Sequence, residues 1–254
     1  MKIKMILKKL WVLALIVISL IFSSCSMFEK KIVYVVLFDI SGSTSSKFVK
    51  DAYSEDFQKL IMALRGKERI ISFPISENGL ANVNYVVNDE IPGYNPLKFN
   101  EDDYQNLKDS CIKIITDKAG EIIYANDNKS TDIFNAIMTA SKVMKNDEFE
   151  NYEKRLVIFS DMFENSEEYN FETCKTTSDQ IEKILEAESE KMSLPDLKNI
   201  KVTVCGAGLQ GEHPAKNTDR LKWLEKFWIQ YFKTCGVKFT AENYNTRLIS
   251  FNSN

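Results

Sequence analysis

Residues 32–46 read IVYVVLFDISGSTSS. From Ile32 to Phe38 the chain is apolar without interruption and rich in β-branched side chains, the pattern of a strand covered on both faces. Such a strand belongs in the middle of a sheet with a layer of helices on each side, so this stretch decides the fold class. Its ending is unusual. Asp39, Ser41 and Ser43 occupy alternate positions, with Thr44, Ser45 and Ser46 directly behind them. A plain turn needs one or two such residues. A carboxylate and two hydroxyls so spaced can present three oxygens on one side of a turn. Gly42 is expected to let that turn close, and Thr44 to Ser46 to open the next helix.

The pattern continues outward as alternating helices and strands. Phe48, Val49, Ala52, Phe57, Leu60, Ile61 and Leu64 recur at helical spacing, predicting a helix over 46–64 that Gly66 stops. Strands are predicted at 69–75 and 81–87, the second pairing antiparallel through Asn78-Gly79. Residues 88–129 carry Pro92, Gly93 and Pro96 and then a helical pattern over 102–118, and read as an insertion or a decorated crossover. Beyond them come helices at 131–145, 177–191 and 218–234 and strands at 156–159, 200–205 and 237–240. Apolar residues cover more than half the circumference of helix 218–234, Trp223 to Phe232 among them, which suits a helix wedged into the core. The expected fold is α/β: a doubly wound, mostly parallel central sheet with helices on both faces and one antiparallel edge strand, spanning 32–254.

Ligands of such sheets gather at the carboxyl ends of the strands, where the strand order reverses. Asp39 and Asp161 each stand just past one of the two most apolar strands, so they are expected to be neighbours although 122 positions apart. Ser130-Thr131-Asp132 opens a helix at the same edge, where a hydroxyl could cap the helix or reach an ion. An all-oxygen set with two carboxylates suits a hard divalent cation.

Asp39-Ile-Ser41-Gly-Ser43, a Thr opening a later helix and an Asp ending the next strand resemble von Willebrand factor A domains. The metal-ion-dependent adhesion site of that family uses a DxSxS motif, a separate Thr and a separate Asp. The resemblance runs from about Lys31 to the C-terminus and implies Asp39, Ser41, Ser43, Thr131 and Asp161 as ligands of Mg²⁺ or Mn²⁺. It also implies an open coordination position that takes a Glu or Asp carboxylate of a partner protein, with binding rather than turnover. Two features depart from the family pattern. Met162 stands where a Gly often follows the last Asp, and the stretch before Thr131 is long.

The chain opens with Lys2, Lys4, Lys8 and Lys9, then an almost unbroken apolar run from Leu10 to Phe22, then Ser23-Ser24-Cys25. This is the layout of a secretory signal, and the run is short for a membrane span. Phe22-Ser23-Ser24-Cys25 resembles the lipobox of bacterial lipoproteins, which implies cleavage of 1–24, lipidation of Cys25 and a tether over 25–31. An uncleaved signal anchor is the alternative. Both place the rest of the chain outside the cytoplasm, in the cell envelope. Net charge is −3, and the four lysines lie within 1–24, leaving −7 and no basic block, so nucleic acid is not an expected partner. Cys111, Cys174, Cys205 and Cys235 allow three disulfide pairings or free thiols, and no CxxC pair suggests zinc.

Catalytic readings find little support. A haloacid-dehalogenase-like DxD site would need a carboxylate where Ser41 stands. His213, the only histidine, lies in a polar loop without a fixed partner, and Cys205-Gly-Ala-Gly lacks the rest of a dinucleotide fingerprint and reads as a tight turn. Glu164, Glu167 and Glu168 are expected in a solvated loop near the metal edge. The runner-up function is an envelope assembly role in which the ion only stabilises the fold; a metal-dependent phosphohydrolase is the third.

Overall fold

The strand that opens the folded region, β1 (Ile32–Asp39), is buried along nearly its whole length, as its unbroken apolar run requires. The computed structural model of the protein describes residues 31–75, 86–125, 130–211, 213–214 and 217–248. The signal, Cys25 and nearly all of the tether therefore lie outside the described residues, as do residues 81–85 of the expected third strand. Among the described residues no helix is long and apolar enough to cross a membrane.

In chain order the elements are β1, α1 (Lys47–Met62), β2 (Arg69–Ile75), β3 (Val87–Glu90), α2 (Glu101–Ile123), α3 (Ile133–Met144), β4 (Glu153–Phe159), α4 (Ser178–Glu190), β5 (Ile200–Cys205), β6 (Leu209–Gln210), β7 (His213–Pro214), α5 (Thr218–Thr234) and β8 (Tyr244–Asn245). Six strands form a mixed sheet in the order β3-β2-β1-β4-β5-β8, and β6 and β7 make a small separate hairpin. All pairings in the large sheet are parallel except that of β3 with β2. The sheet is thus α/β and doubly wound, with one antiparallel edge strand, and the order reverses between β1 and β4.

Alternation along β1 divides the core into two. Val33, Val35 and Leu37 face α3, α4 and α5, whereas Tyr34, Val36 and Phe38 face α1 and α2. On the α1 side Phe38 stacks on Phe159 at 5.1 Å between centroids and meets Phe57 edge-on at 5.3 Å. Each fully buried ring of this kind contributes roughly 1.5–3 kcal/mol by leaving water. On the other side Phe171, Phe227, Trp228 and Tyr231 pack around Phe134, with Trp223 against Phe171 and Phe227, so the aromatic helix is core, as its composition implies. Cys111, Cys174, Cys205 and Cys235 are free thiols.

Residues 88–123 supply most of β3 and the long α2, whose Ile115, Ala119, Ile122 and Ile123 are buried against the α1 face. The expected last strand, 237–240, is not one. Val237 and Phe239 are buried, which produced the alternating pattern, but their amides bond to Phe232 and Val237 carbonyls in the turn that leaves α5. The strand that closes the sheet is β8, whose Tyr244 and Asn245 pair with Val204 and Cys205.

Asp56 of α1 holds this closing segment. Its buried carboxylate accepts from Arg247 Nε at 2.9 Å, Leu248 N at 2.8 Å and Lys59 Nζ at 2.9 Å. Burial alone would raise the Asp56 pKa, but the Arg247 and Leu248 bonds outweigh it and hold the carboxyl below its ordinary value. Hydrogen bonds to a charged group are each worth about 1.5–3 kcal/mol. Asp56→Ala is expected to lower stability by about 2–3 kcal/mol in denaturant melts, and Glu55→Ala, which removes only an exposed Arg247 pair, by less than about 1 kcal/mol. Because the folded pKa is depressed, the Asp56 contribution is present above the unfolded value of 3.8 and fades as pH falls through the lower folded value.

Candidate metal centre

The register of β1 and β4 sets the site. Phe38 lies opposite Phe159, so the next residue of each strand brings Asp39 beside Ser160, with Asp161 one step further. Ser160 Oγ donates to Asp39 Oδ2 at 2.6 Å, and Ser41 N donates to Asp39 Oδ1 at 3.0 Å. Ser41 and Ser43 hydroxyls lie 3.1 Å apart. Asp161 Oδ1 accepts from Phe163 N and Oδ2 from Gln210 Nε2, both at 3.0 Å, and Ser43 also bonds its carboxylate. The strand ends therefore bring Asp39, Ser41, Ser43 and Asp161 together.

The polar cluster after β1 divides its labour. Thr44 Oγ1 donates to the carbonyls of Asp39 and Ser41 at 2.9 and 3.0 Å and closes the turn, while the Ser46 hydroxyl accepts from Val49 N and caps α1. Gly42 does not have the part expected of it: a Cβ there would meet nothing within 4 Å and its φ is not positive. The turn closes through Thr44, and most residues would fit at 42.

Asp39 and Asp161 are 2% and 0% exposed, and neither has an ion pair among the described residues. Burial, then the neighbouring Asp39 charge, pushes Asp161 up to about 7; burial raises Asp39 despite the bonds from Ser160 and Ser41. Two adjacent buried carboxylates must either hold protons or share a cation. The oxygen-only donor set, two carboxylates with hydroxyls, fits a hard divalent ion such as Mg²⁺ or Mn²⁺. Among the described residues no group of three or more His, Cys, Asp or Glu side chains gathers, so the hydroxyls are essential to any such site.

Thr131 is buried at the same edge and pairs with Asn165 in both directions, at 3.0 and 2.9 Å. Neither it nor Ser130 caps α3. Asp132 does, accepting from Asn135 N at 3.0 Å, so the Thr131 hydroxyl is not needed by the helix. Its link to Asp161 runs through the backbone of residues 161–165.

That loop corrects the expectation for Glu164, which is fully buried rather than solvated. Its Oε2 accepts from Ile133 N at 2.8 Å, fastening the loop to the first turn of α3, and burial pushes the carboxyl well above its usual range. Glu167 and Glu168 instead line a cavity of about 680 Å³ beside Thr131, together with Asp132, Glu188 and Lys191. Lys191 pairs with Glu168 and Glu188 there.

Sequence reasoning missed Ser160, Gln210 and Glu164. Ser160 had a signal, since it directly precedes Asp161 on a strand beside β1. Gln210 had none, because only the β6–β7 hairpin and the 206–208 turn bring it close. That turn is as expected, and Gly208 N donates to the Asp161 carbonyl at 3.0 Å.

No protein-family model matches the sequence, and no curated protein does. Several solved structures are similar at low identity. One is a von Willebrand factor type A protein from Catenulispora acidiphila, at 11% identity and TM-score 0.41, covering 82% of this chain and 42% of that one. The pilus adhesin SpaC from Lactobacillus rhamnosus GG, in an open conformation, is similar at 12% and 0.45, covering 85% and 28%. Manganese-loaded TRAP protein of Plasmodium vivax is similar at 12% and 0.39, covering 78% and 63%. The chain thus spans less than two thirds of each of these structures.

Two predictions follow from the geometry. Asp39, Asp161 and Glu164 all have raised folded pKa values, so the folded state keeps protons that the unfolded chain loses near pH 4. Their contribution is fully present below that pH and is lost as pH rises toward the folded values, near 7 for Asp161. In EDTA the melting temperature is expected to fall between pH 5 and 7.5, with a shallower slope for Asp161→Asn. The second concerns Met162, which is fully buried at φ +67, the left-handed region that favours glycine, while its carbonyl accepts from Trp228 Nε1 at 2.9 Å. Met162→Gly would relieve about 1–2 kcal/mol of backbone strain but forfeit about 2–5 kcal/mol of packing, a net loss measurable in denaturant melts.

Proposed function

We propose that the chain is a von Willebrand factor A-like binding protein of the cell envelope, held to a membrane through a lipid on Cys25. Its site takes Mg²⁺ or Mn²⁺ on Asp39, Ser41, Ser43, Thr131 and Asp161, and the bound ion grips a Glu or Asp carboxylate of a partner protein. The observation that carries this reading is the pair of buried, adjacent carboxylates at the switch point, neither with an ion pair among the described residues, bracketed by hydroxyls. A divalent ion supplies a Lewis-acidic centre, and two carboxylates with neutral hydroxyls leave it under-neutralised toward any open position. The chain's own residues hold and orient: Ser160 fixes Asp39, Gln210 and Phe163 N fix Asp161, and Glu164 fixes the Thr131 edge. Holding and orienting of this kind supports a reading of binding rather than turnover.

One observation favours a second reading. Ser41 and Thr131 are 4% and 3% exposed, and only Ser43 among the five is appreciably accessible, which suits an ion that merely stabilises the fold.

Thermal melting in EDTA against Mg²⁺ or Mn²⁺ tests both readings. An ion at a hundred times its Kd adds about 2.7 kcal/mol, a rise of about 5–10 °C for a domain of this size. Asp39→Ala and Asp161→Ala are expected to abolish the rise. No rise in the wild type, with no bound ion by elemental analysis, would sink the site. A rise without any metal-dependent binding to glutamate-bearing peptides would favour the stabilising ion.

A further inference from the structure

We infer that Tyr53 is a positioning residue of this site, its buried hydroxyl held for an oxygen of the ion's hydration shell; the inference rests on the divalent-cation reading above. Tyr53 comes from the middle of α1 and is 2% exposed. Its ring lies 5.6 Å from that of Phe159, the residue before Ser160 and Asp161. Its hydroxyl oxygen is fully buried and has no hydrogen-bond partner among the described residues.

Gly206 locates that oxygen. A Cβ at Gly206 would stand 2.6 Å from Tyr53 Cε1, 2.9 Å from the hydroxyl oxygen and 3.1 Å from the Ser160 carbonyl oxygen. The phenol therefore presses against the bare backbone of the 206–208 turn, beside Ser160, the same turn that binds the Asp161 carbonyl through Gly208 N. The absent side chain at Gly206, whose φ is +93, is what gives the phenol room to approach. The charges of both Asp39 and Asp161 reach it, adding to burial in raising its pKa.

Each of the four carboxylate oxygens beside it already accepts a hydrogen bond, and its remaining lone pair is what the proposed ion would take. Asp39 is held by Ser41 N and Ser160, and Asp161 by Phe163 N and Gln210. Phenylalanine would fill the same ring volume without stranding a polar atom, and a stranded buried hydroxyl is unfavourable. A hydrated Mg²⁺ or Mn²⁺ keeps several waters, which are strong donors, and a phenol oxygen is a suitable acceptor for one of them. Groups that orient a metal's surroundings in this way typically change affinity 10–100-fold when removed.

The test is Mg²⁺ titration calorimetry on the full chain after EDTA treatment, for wild type, Tyr53→Phe and Tyr231→Phe. Tyr231 is a fully buried phenol beside Cys235 on the opposite face of the sheet, so it reports the effect of deleting a buried hydroxyl elsewhere. Tyr53→Phe is expected to bind Mg²⁺ at least tenfold more weakly, to melt at an equal or higher temperature without metal, and to lose the tyrosine ultraviolet difference signal that Mg²⁺ induces. Tyr231→Phe is expected to bind as wild type does. Equal affinity of Tyr53→Phe and wild type overturns the inference while leaving the ion site intact. A lower metal-free melting temperature for Tyr53→Phe also overturns it, because the hydroxyl would then be paired without the ion. A wild type that binds no Mg²⁺ removes the ion site and Tyr53's part in it together.

Discussion

Parallel pairing of β1 with β4 places two carboxylates side by side at the ends of the most deeply buried strands, away from water. Everything around them addresses that electrostatic problem. Ser160 and Ser41 hold Asp39, and Gln210 and a backbone amide hold Asp161. The turn at 206–208 wraps the Asp161 backbone from below. Neutral donors reduce the cost of burying charge without cancelling it, which leaves the pair dependent on protons or on a cation.

The packing beneath explains how such a pair is tolerated. Phe38, Phe57, Phe159 and Tyr53 form a rigid aromatic floor on the α1 face, while Trp228 reaches from α5 on the other face to bind the Met162 carbonyl. The loop that carries Asp161 is thus pinned from both core clusters and tied to α3 by Glu164 and by the Thr131–Asn165 pairing. A site on pinned strand ends keeps its geometry better than one on a free loop.

Most of the sheet was legible because β1 and the end of β4 carry unbroken apolar runs, because Ile70, Ile71 and Phe73 of β2 and the alternating Ile200, Val202 and Val204 of β5 are apolar, and because buried faces fix helical periodicity. The pairing of Asp39 and Asp161 was legible for the same reason, since parallel strands put their carboxyl ends on one edge. What failed depended on where backbone amides go. Val237 and Phe239 look like a strand, but their amides bond to the turn leaving α5. Glu164 looks solvated in a run of acids, and only the fold reveals that the amide of Ile133 awaits it. Gln210 reaches Asp161 across 49 residues through a hairpin whose placement no local pattern encodes.

The Arg247–Asp56 clamp joins positions 191 residues apart, and β8 completes the sheet beside it. Loop closure on that scale is entropically slow and brings no reward until both partners are present. The 206–208 turn is tied to the end of β8 and the residue after it, with Gly206 N and Ala207 N donating to the carbonyls of Thr246 and Asn245. One wall of the carboxylate pair therefore depends on residues near the end of the described chain. An emerging polypeptide would have its first strand and the Asp39 turn long before anything can line the other side, so maturation of the site coincides with completion of the fold.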